Sequence, residues 1–198
     1  NACILHYTDN NKVLDEGAQV KALAFSPDGA HLFVGTFGGE VYRITGYNDV
    51  YASTPEDSVQ KWIDLADTTN YLTKTKLQSD LIFIGSGVVT GIGINPNNPE
   101  HVVVTTGGYG GQHVWESTTA LSTSGLGSFN DIQGDLPDMP AYDVVIERSS
   151  SDLLLVGTEF GLWISDDGGA TWSQNTTGFA NVPVYDVEQG WRTWNEGN

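Results

Sequence analysis

A unit of two short strands and a polar turn recurs along this chain, and few folds accommodate it. Val20-Lys-Ala-Leu-Ala-Phe25 runs into Ser-Pro-Asp-Gly and then His31-Leu-Phe-Val-Gly35-Thr36. Val89-Thr-Gly-Ile-Gly-Ile94 runs into Asn-Pro-Asn-Asn-Pro-Glu and then His101-Val-Val-Val-Thr105-Thr106. Ala141-Tyr-Asp-Val-Val-Ile146 runs into Glu-Arg-Ser-Ser-Ser-Asp and then Leu153-Leu-Leu-Val-Gly157-Thr158. A fourth copy opens at Val184-Tyr-Asp-Val187. The turns suit strand reversal, because Pro presets φ and Gly or Asn accepts left-handed geometry. A glycine-rich corner follows each second strand, and a third strand such as Glu40-Val-Tyr-Arg-Ile44 or Gly161-Leu-Trp-Ile164 comes next.

The equivalent positions Phe25, Ile94, Ile146 and Gln189 recur at the spacing of a four-stranded propeller blade, about 40–50 residues. The first interval is longer, which places an insertion within Tyr47 to Gln78. The expected fold is all-β, a β-propeller of four-stranded antiparallel blades. Residues 1–19 read as the end of a preceding blade, 20–88 as a blade with an insertion, and 89–140 as a second blade. Residues 141–183 read as a third blade and 184–198 as the start of another. Strands are expected near 20–26, 31–36, 40–45, 89–94, 101–106, 141–146, 153–158 and 161–165. A short helical turn around Ser53 to Gln78 and a fourth strand near Lys61 to Leu65 are expected in the insertion. Such rings close with four to eight blades, so three blades with two stubs read as a piece of a longer protein.

Composition agrees. The 24 glycines lack a collagen period and suit many tight turns, and six Trp and eight Tyr favour sheets. The charge is lopsided, with 25 acidic against 8 basic residues and a net of −17. Such a surface repels phosphate backbones and anionic lipid, so neither nucleic-acid binding nor membrane insertion is expected. Carbohydrate or a cell-surface protein is the better partner, besides other blades or domains of the same protein. Cys3 is the only cysteine, so no internal disulfide forms and the core must hold the fold. The apolar run Leu81 to Ile84 is strand-sized, well short of a membrane span.

Ser165-Asp166-Asp167-Gly168-Gly169-Ala170-Thr171-Trp172 carries the pattern Ser-x-Asp-x-Gly-x-Thr-Trp. Here the chain resembles the Asp-box (BNR repeat) β-propellers: sialidases, sortilin-like receptors and xyloglucanase-type glycosidases. The resemblance covers Val20 to Asn181. It implies a hairpin between a blade's third and fourth strands, built by Ser165, Asp167, Gly169, Thr171 and Trp172. In those families the box is structural and lies away from the ligand face. A calcium site at Asp166 and Asp167 is the alternative, although the spacing lacks the alternating oxygens of a calcium loop. No other cofactor is implied.

Propeller ligands sit on the face made by the loops between strands two and three and by the connections between blades. Within these loops Tyr109, His113, Asp135, Asp138, Glu159 and Phe160 are the candidate ligand-binding residues. Aromatic rings stack on pyranose faces and carboxylates accept hydroxyl hydrogens. No catalytic residue is assigned. A sialidase needs an arginine clamp, and the family's Arg-Ile-Pro motif is missing. Val88 to Pro96 followed by Thr105-Thr106-Gly107-Gly108 is similar to the opening blade of the xyloglucanase-type enzymes. Those place a catalytic Asp after the Thr, where this chain has Gly107. Hydrolysis needs two carboxylates facing one bond at a set separation, and Asp135 and Glu159 could form such a pair in principle, at a distance that the sequence does not fix. His6, His31, His101 and His113 lack neighbouring ligands and read as turn or surface residues, so no metal site is expected. The expected role is a non-catalytic extracellular or cell-surface recognition or scaffold module, with a polysaccharide-active glycosidase as the alternative.

Overall fold

A computed structural model describes residues 18–45, 78–178 and 180–190. Twelve strands are present among them. The first sheet holds β1 (Val20–Phe25), β2 (His31–Thr36), β3 (Glu40–Thr45) and β4 (Gln78–Ile84). The second holds β5 (Val89–Ile94), β6 (Val102–Thr106), β7 (Val114–Ser117) and β8 (Asn130–Asp131). The third holds β9 (Ala141–Ile146), β10 (Leu154–Thr158), β11 (Gly161–Ser165) and β12 (Ser173–Gln174). Each sheet is antiparallel, with its strands in chain order. No helix long and apolar enough to cross a membrane occurs among the described residues.

The turn chemistry explains the hairpins. Gly29 donates its backbone N–H to the Ser26 carbonyl at 2.8 Å and has φ 69°. Asp28 accepts from Ser26 Oγ and from the Ala30 amide. In the second sheet, Asn95 Oδ1 accepts from the amides of Asn97 and Asn98. A small polar side chain thus replaces the missing ladder bonds at these two reversals, and Glu147 does so at the third, accepting from the amides of Ser149 and Ser150.

Packing is between neighbouring sheets. Ala22, Phe33, Val41, Ile82 and Phe83 of the first sheet share a core with Val89, Val102, Val104 and Ala120. Val103 and Val114 share the next core with Val144, Ile146, Leu154, Val156 and Trp172. Arg43 is buried and reaches across to the next unit, donating to the carbonyls of Ala120 and Leu121 at 2.6 Å while pairing with Asp80. The second sheet lies between the other two and is covered on both faces, which is why β6 is an unbroken buried run.

One irregularity recurs. Val20 pairs with Thr36 and Ala22 with Gly35, so Lys21 is an extra residue in β1. Val89 pairs with Thr106 and Gly91 with Thr105, so Thr90 is extra in β5. Ala141 pairs with Thr158 and Asp143 with Gly157, so Tyr142 is extra in β9. Each first strand carries a bulge at its second residue, and bulges re-aim side chains.

The eight expected strands are found within a residue of their expected ends. The fourth strand of the first sheet differs. That place is taken by β4, Gln78–Ile84, not by Lys61 to Leu65, which lies outside the described residues together with the expected helical turn. The insertion therefore joins β3 to β4 within one sheet and is not a connection between sheets. Strands alternate direction, so loops between third and fourth strands leave at the end opposite the candidate ligand face.

Candidate functional site

The loops after β2, β6 and β10 and the connections leading into β5 and β9 gather at one end of the sheets. Two contacts organise this end. The Tyr109 hydroxyl donates to the Glu159 carboxylate, and the contact pushes the Tyr109 hydroxyl up to about 12. The Gly110 amide donates to both oxygens of Asp138, at 2.8 and 3.0 Å. His113 supports the second contact from below. Its Nδ1 donates to the Thr106 carbonyl at 3.1 Å, and its Nε2 lies 2.9 Å from Asp138 Oδ1. Both ring nitrogens face oxygen atoms within hydrogen-bond distance. The His113 bond, and then the Gly110 amide, hold the Asp138 carboxyl below the usual range.

The six candidate residues divide. Tyr109 joins Glu159, and His113 joins Asp138. Phe160 is 48% exposed, with its backbone N–H on Thr158 Oγ1 and its carbonyl accepting from Gln174. Asp135 belongs elsewhere: its carboxylate accepts from the Trp172 amide at 2.7 Å. No hydrogen bond joins Asp135 to Glu159 among the described residues. His101 and His113 are not surface residues; both are buried, paired with Glu116 and Asp138. Burial of an imidazole demands partners for its nitrogens, and β7 supplies Glu116 while the connection between β8 and β9 supplies Asp138.

Asp167 gathers the bonds within the Ser165–Trp172 hairpin. Asp167 Oδ1 accepts from Ser165 Oγ and the Thr171 amide, and Oδ2 from Thr171 Oγ1 at 2.6 Å. The Thr171 hydroxyl leads in holding Asp167 down at about 2. Gly169 has φ 91°, and a Cβ there would lie 2.6 Å from the Ile132 carbonyl oxygen. Trp172 is buried and donates from Nε1 to the carbonyls of Ile132 and Gly169. No group of three or more potential metal ligands occurs among the described residues.

Sequence reasoning missed the cavity behind Tyr109. It has a volume of about 490 Å³, and Lys21, Thr90, Tyr142 and Tyr185 all line it. These are the same position in four copies of the repeat. Three of them are the bulge residues of β1, β5 and β9. Tyr142 and Tyr185 bring their ring centroids to 4.7 Å. Comparing that one column of the repeat was the signal available. A second cavity of about 770 Å³ runs along the remainder of the same strands.

Four-stranded sheets in chain order, packed face to face with their first strands around a common cavity, define a β-propeller, and this chain is all-β of that kind. Comparison with solved structures agrees. The GH74 xyloglucanase from Xanthomonas campestris superposes with a TM-score of 0.51 at 16% identity, over 80% of this chain and 21% of that enzyme. An ancestral GH74 enzyme superposes with a TM-score of 0.51 at 18% identity, over 78% of this chain and 18% of that one. Among curated proteins, sortilin from Rattus norvegicus and from Mus musculus is 30% identical over 112 residues, which is 54% of this chain. The match spans 12% of sortilin's length. No protein-family model matches the chain.

Proposed function

We propose that the chain is a segment of an Asp-box propeller that serves as a non-catalytic recognition or scaffold module outside the cell. The observation that carries this is the state of the carboxylates on the loop face. Glu159 is taken by Tyr109, Asp138 by His113 and the Gly110 amide, and Asp135 by the Trp172 amide. Glycoside hydrolysis needs a proton donor and a second carboxylate across one bond. A proton donor works with a raised pKa, and Asp138 is shifted the other way. Gly107 stands where xyloglucanase-type enzymes carry an acid. Binding survives these losses, since stacking on Tyr109 and Phe160 needs no catalytic pair.

The hairpin geometry of Ser165, Asp167, Gly169, Thr171 and Trp172 supports the Asp-box assignment. The acidic surface and the likeness to part of sortilin support an extracellular or cell-surface setting. The partners are a carbohydrate or a cell-surface protein, and recognition of this kind needs no cofactor. The GH74 likeness keeps a glycosidase as the second reading. The test is to incubate the complete parent protein with β-glucans, xyloglucan and sialosides, measuring turnover and binding together. Binding without turnover is expected. Turnover abolished by Asp135→Ala or Glu159→Ala would overturn the reading.

A further inference from the structure

The bulge residues point to what the propeller recognises. Lys21, Thr90 and Tyr142 are each the extra residue at the same position of a first strand, and Tyr185 is their equivalent in the next repeat. All four line one cavity, at the end of the sheets where the Tyr109 and Gly110 loop stands. A bulge repeated three times with its residues lining one cavity marks a site, because an extra residue breaks ladder pairing wherever it occurs. The Thr90 hydroxyl is bonded to the Ala141 carbonyl at 2.7 Å, and Lys21 and the two tyrosines carry the open groups. The side chains differ at a position where the backbone repeats: one cation, one hydroxyl and two rings. An axial packing role would favour similar residues at each copy.

The chemistry of the lining is one-sided. Lys21 has no ion-pair or hydrogen-bond partner among the described residues, in a chain carrying −17. The other described basic residues lie outside the lining, and Arg43 is fixed by Asp80 and backbone carbonyls. Ser86 and the hydroxyls of Tyr142 and Tyr185 are also without hydrogen-bond partners there. The neighbouring acids are engaged, Glu159 by Tyr109 and Asp138 by His113. Free side-chain groups at this cavity are therefore one ammonium, hydroxyls and aromatic faces, beside Val88, glycine backbone at 87, 107, 108 and 111, and the engaged Thr90, Tyr109 and His113.

We propose that this cavity binds a pyranose bearing a single carboxylate, a uronic acid residue carried by an otherwise neutral glycan. The sugar ring lies against Tyr142 and Tyr185, the carboxylate meets the Lys21 ammonium, and ring hydroxyls meet Ser86 and the tyrosine hydroxyls. Pyranose faces stack on aromatic rings, and a charge-assisted bond to a carboxylate is about twice as strong as a neutral one. A run of uronates is disfavoured, because the acidic surface repels a polyanion. A peptide carboxylate fits less well, since Val88 is the one aliphatic side chain in the lining and side-chain burial would be small. This inference deepens the recognition reading above and rests on it.

The experiment is calorimetric titration of the full chain with a xylan oligosaccharide carrying one glucuronate, and with the methyl ester of the same compound. Thermal melts run alongside to establish that each variant is folded. Binding of the acid about tenfold or more tighter than the ester is expected, an advantage that Lys21→Met abolishes and Lys21→Arg retains in part. Tyr142→Ala should weaken acid and ester alike. Equal affinity for acid and ester, or indifference to Lys21→Met in a folded variant, overturns the uronate assignment while leaving sugar recognition standing. Binding of a short peptide through its C-terminal carboxylate, with the same Lys21 dependence and no sugar binding, overturns it in favour of a protein partner. No binding of any of the three removes both the uronate assignment and the sugar reading.

Discussion

His113 Nε2 lies 2.9 Å from Asp138 Oδ1, and this contact fastens the loop between β6 and β7 to the connection between β8 and β9. The imidazole is buried and the carboxylate is exposed, so the ring acts as a fixed post and the acid as a tether. Asp138 in turn holds the Gly110 amide, whose residue has φ 82° and sits beside Tyr109. The placement of the loop that carries Tyr109 thus depends on a buried histidine in the lining of the same cavity.

Removing the tether should loosen that loop first. In Asp138→Ala the Gly110 amide loses both acceptor oxygens, and its hydrogen exchange should accelerate while amides in β6 and β7 stay protected. Asp138→Asn keeps one acceptor oxygen and should fall between. The pH dependence follows from the lowered carboxyl. Its hold is complete above the unfolded value of 3.8 and is lost as pH falls through the lower folded value. The Asp138 carboxyl resonance followed by NMR should therefore titrate below 3.8. A titration above 3.8, or unchanged exchange at Gly110, would contradict the tether.

The strands were legible where two signals coincided. β1 and β2, β5 and β6, and β9 and β10 show apolar runs bounded by turn residues, and the repeat aligns them. β7, β8 and β12 were not foreseen. They are two to four residues long, and their pairing is set by the neighbouring strand more than by their own pattern. The fourth strand of the first sheet was misplaced because Lys61 to Leu65 and Gln78 to Ile84 both carry strand-like residues. Which of them pairs with β3 is a long-range matter of register. At the candidate ligand face the loops were legible from composition, and the structure brings Tyr109 and Glu159 of those loops together. The bond from the Trp172 amide to Asp135 was not legible, because an acid in a connecting loop looks the same in sequence whether or not it caps a neighbouring hairpin. Lys21, Tyr142 and Tyr185 stayed hidden because a bulge leaves no mark in a single strand. It becomes visible as a column only once the repeats are laid over one another.

Asp167→Ala should lower the thermal midpoint without altering ligand binding. The carboxylate satisfies the Thr171 amide and both neighbouring hydroxyls, and nothing else in the hairpin replaces it. Its carboxyl is held down at about 2 against an ordinary 3.8. The stabilisation is then full above 3.8 and lost as pH falls toward 2. Acid unfolding of wild type and variant should converge in that window. A variant as stable as wild type at neutral pH, yet defective in binding, would show that the hairpin serves a ligand.

Trp172→Ala should be far more damaging. The indole is 5% exposed and packs in the core shared by the second and third sheets. Truncating a buried Trp costs about 3–5 kcal/mol. Its loss also leaves the Ile132 and Gly169 carbonyls short of the Nε1–H donor. Denaturant titration should show a lower midpoint, and a change under about 1 kcal/mol would mean that the ring is not a core element.

Asp143→Asn should stabilise the protein at neutral pH. Burial pushes the Asp143 carboxyl up to about 6, opposed by the amides of Val187 and Val144 and aided by the nearby Asp186 carboxylate. Gly91 is part of the arrangement, since a Cβ there would lie 2.7 Å from Asp143 Oδ1. The folded state thus binds a proton more tightly than the unfolded chain, whose value is 3.8. The native advantage is complete below 3.8 and is lost as pH rises through about 6. Asn at this position keeps an oxygen for the Val187 amide and carries no charge to desolvate. Above pH 6 the variant should exceed wild type by about 1 kcal/mol, a figure discounted for the partial exposure of the site. Near pH 4 the two should match. Melting curves collected from pH 4 to 8 read the difference directly, and parallel curves for the two proteins would mean that Asp143 is ionised in the fold throughout that range.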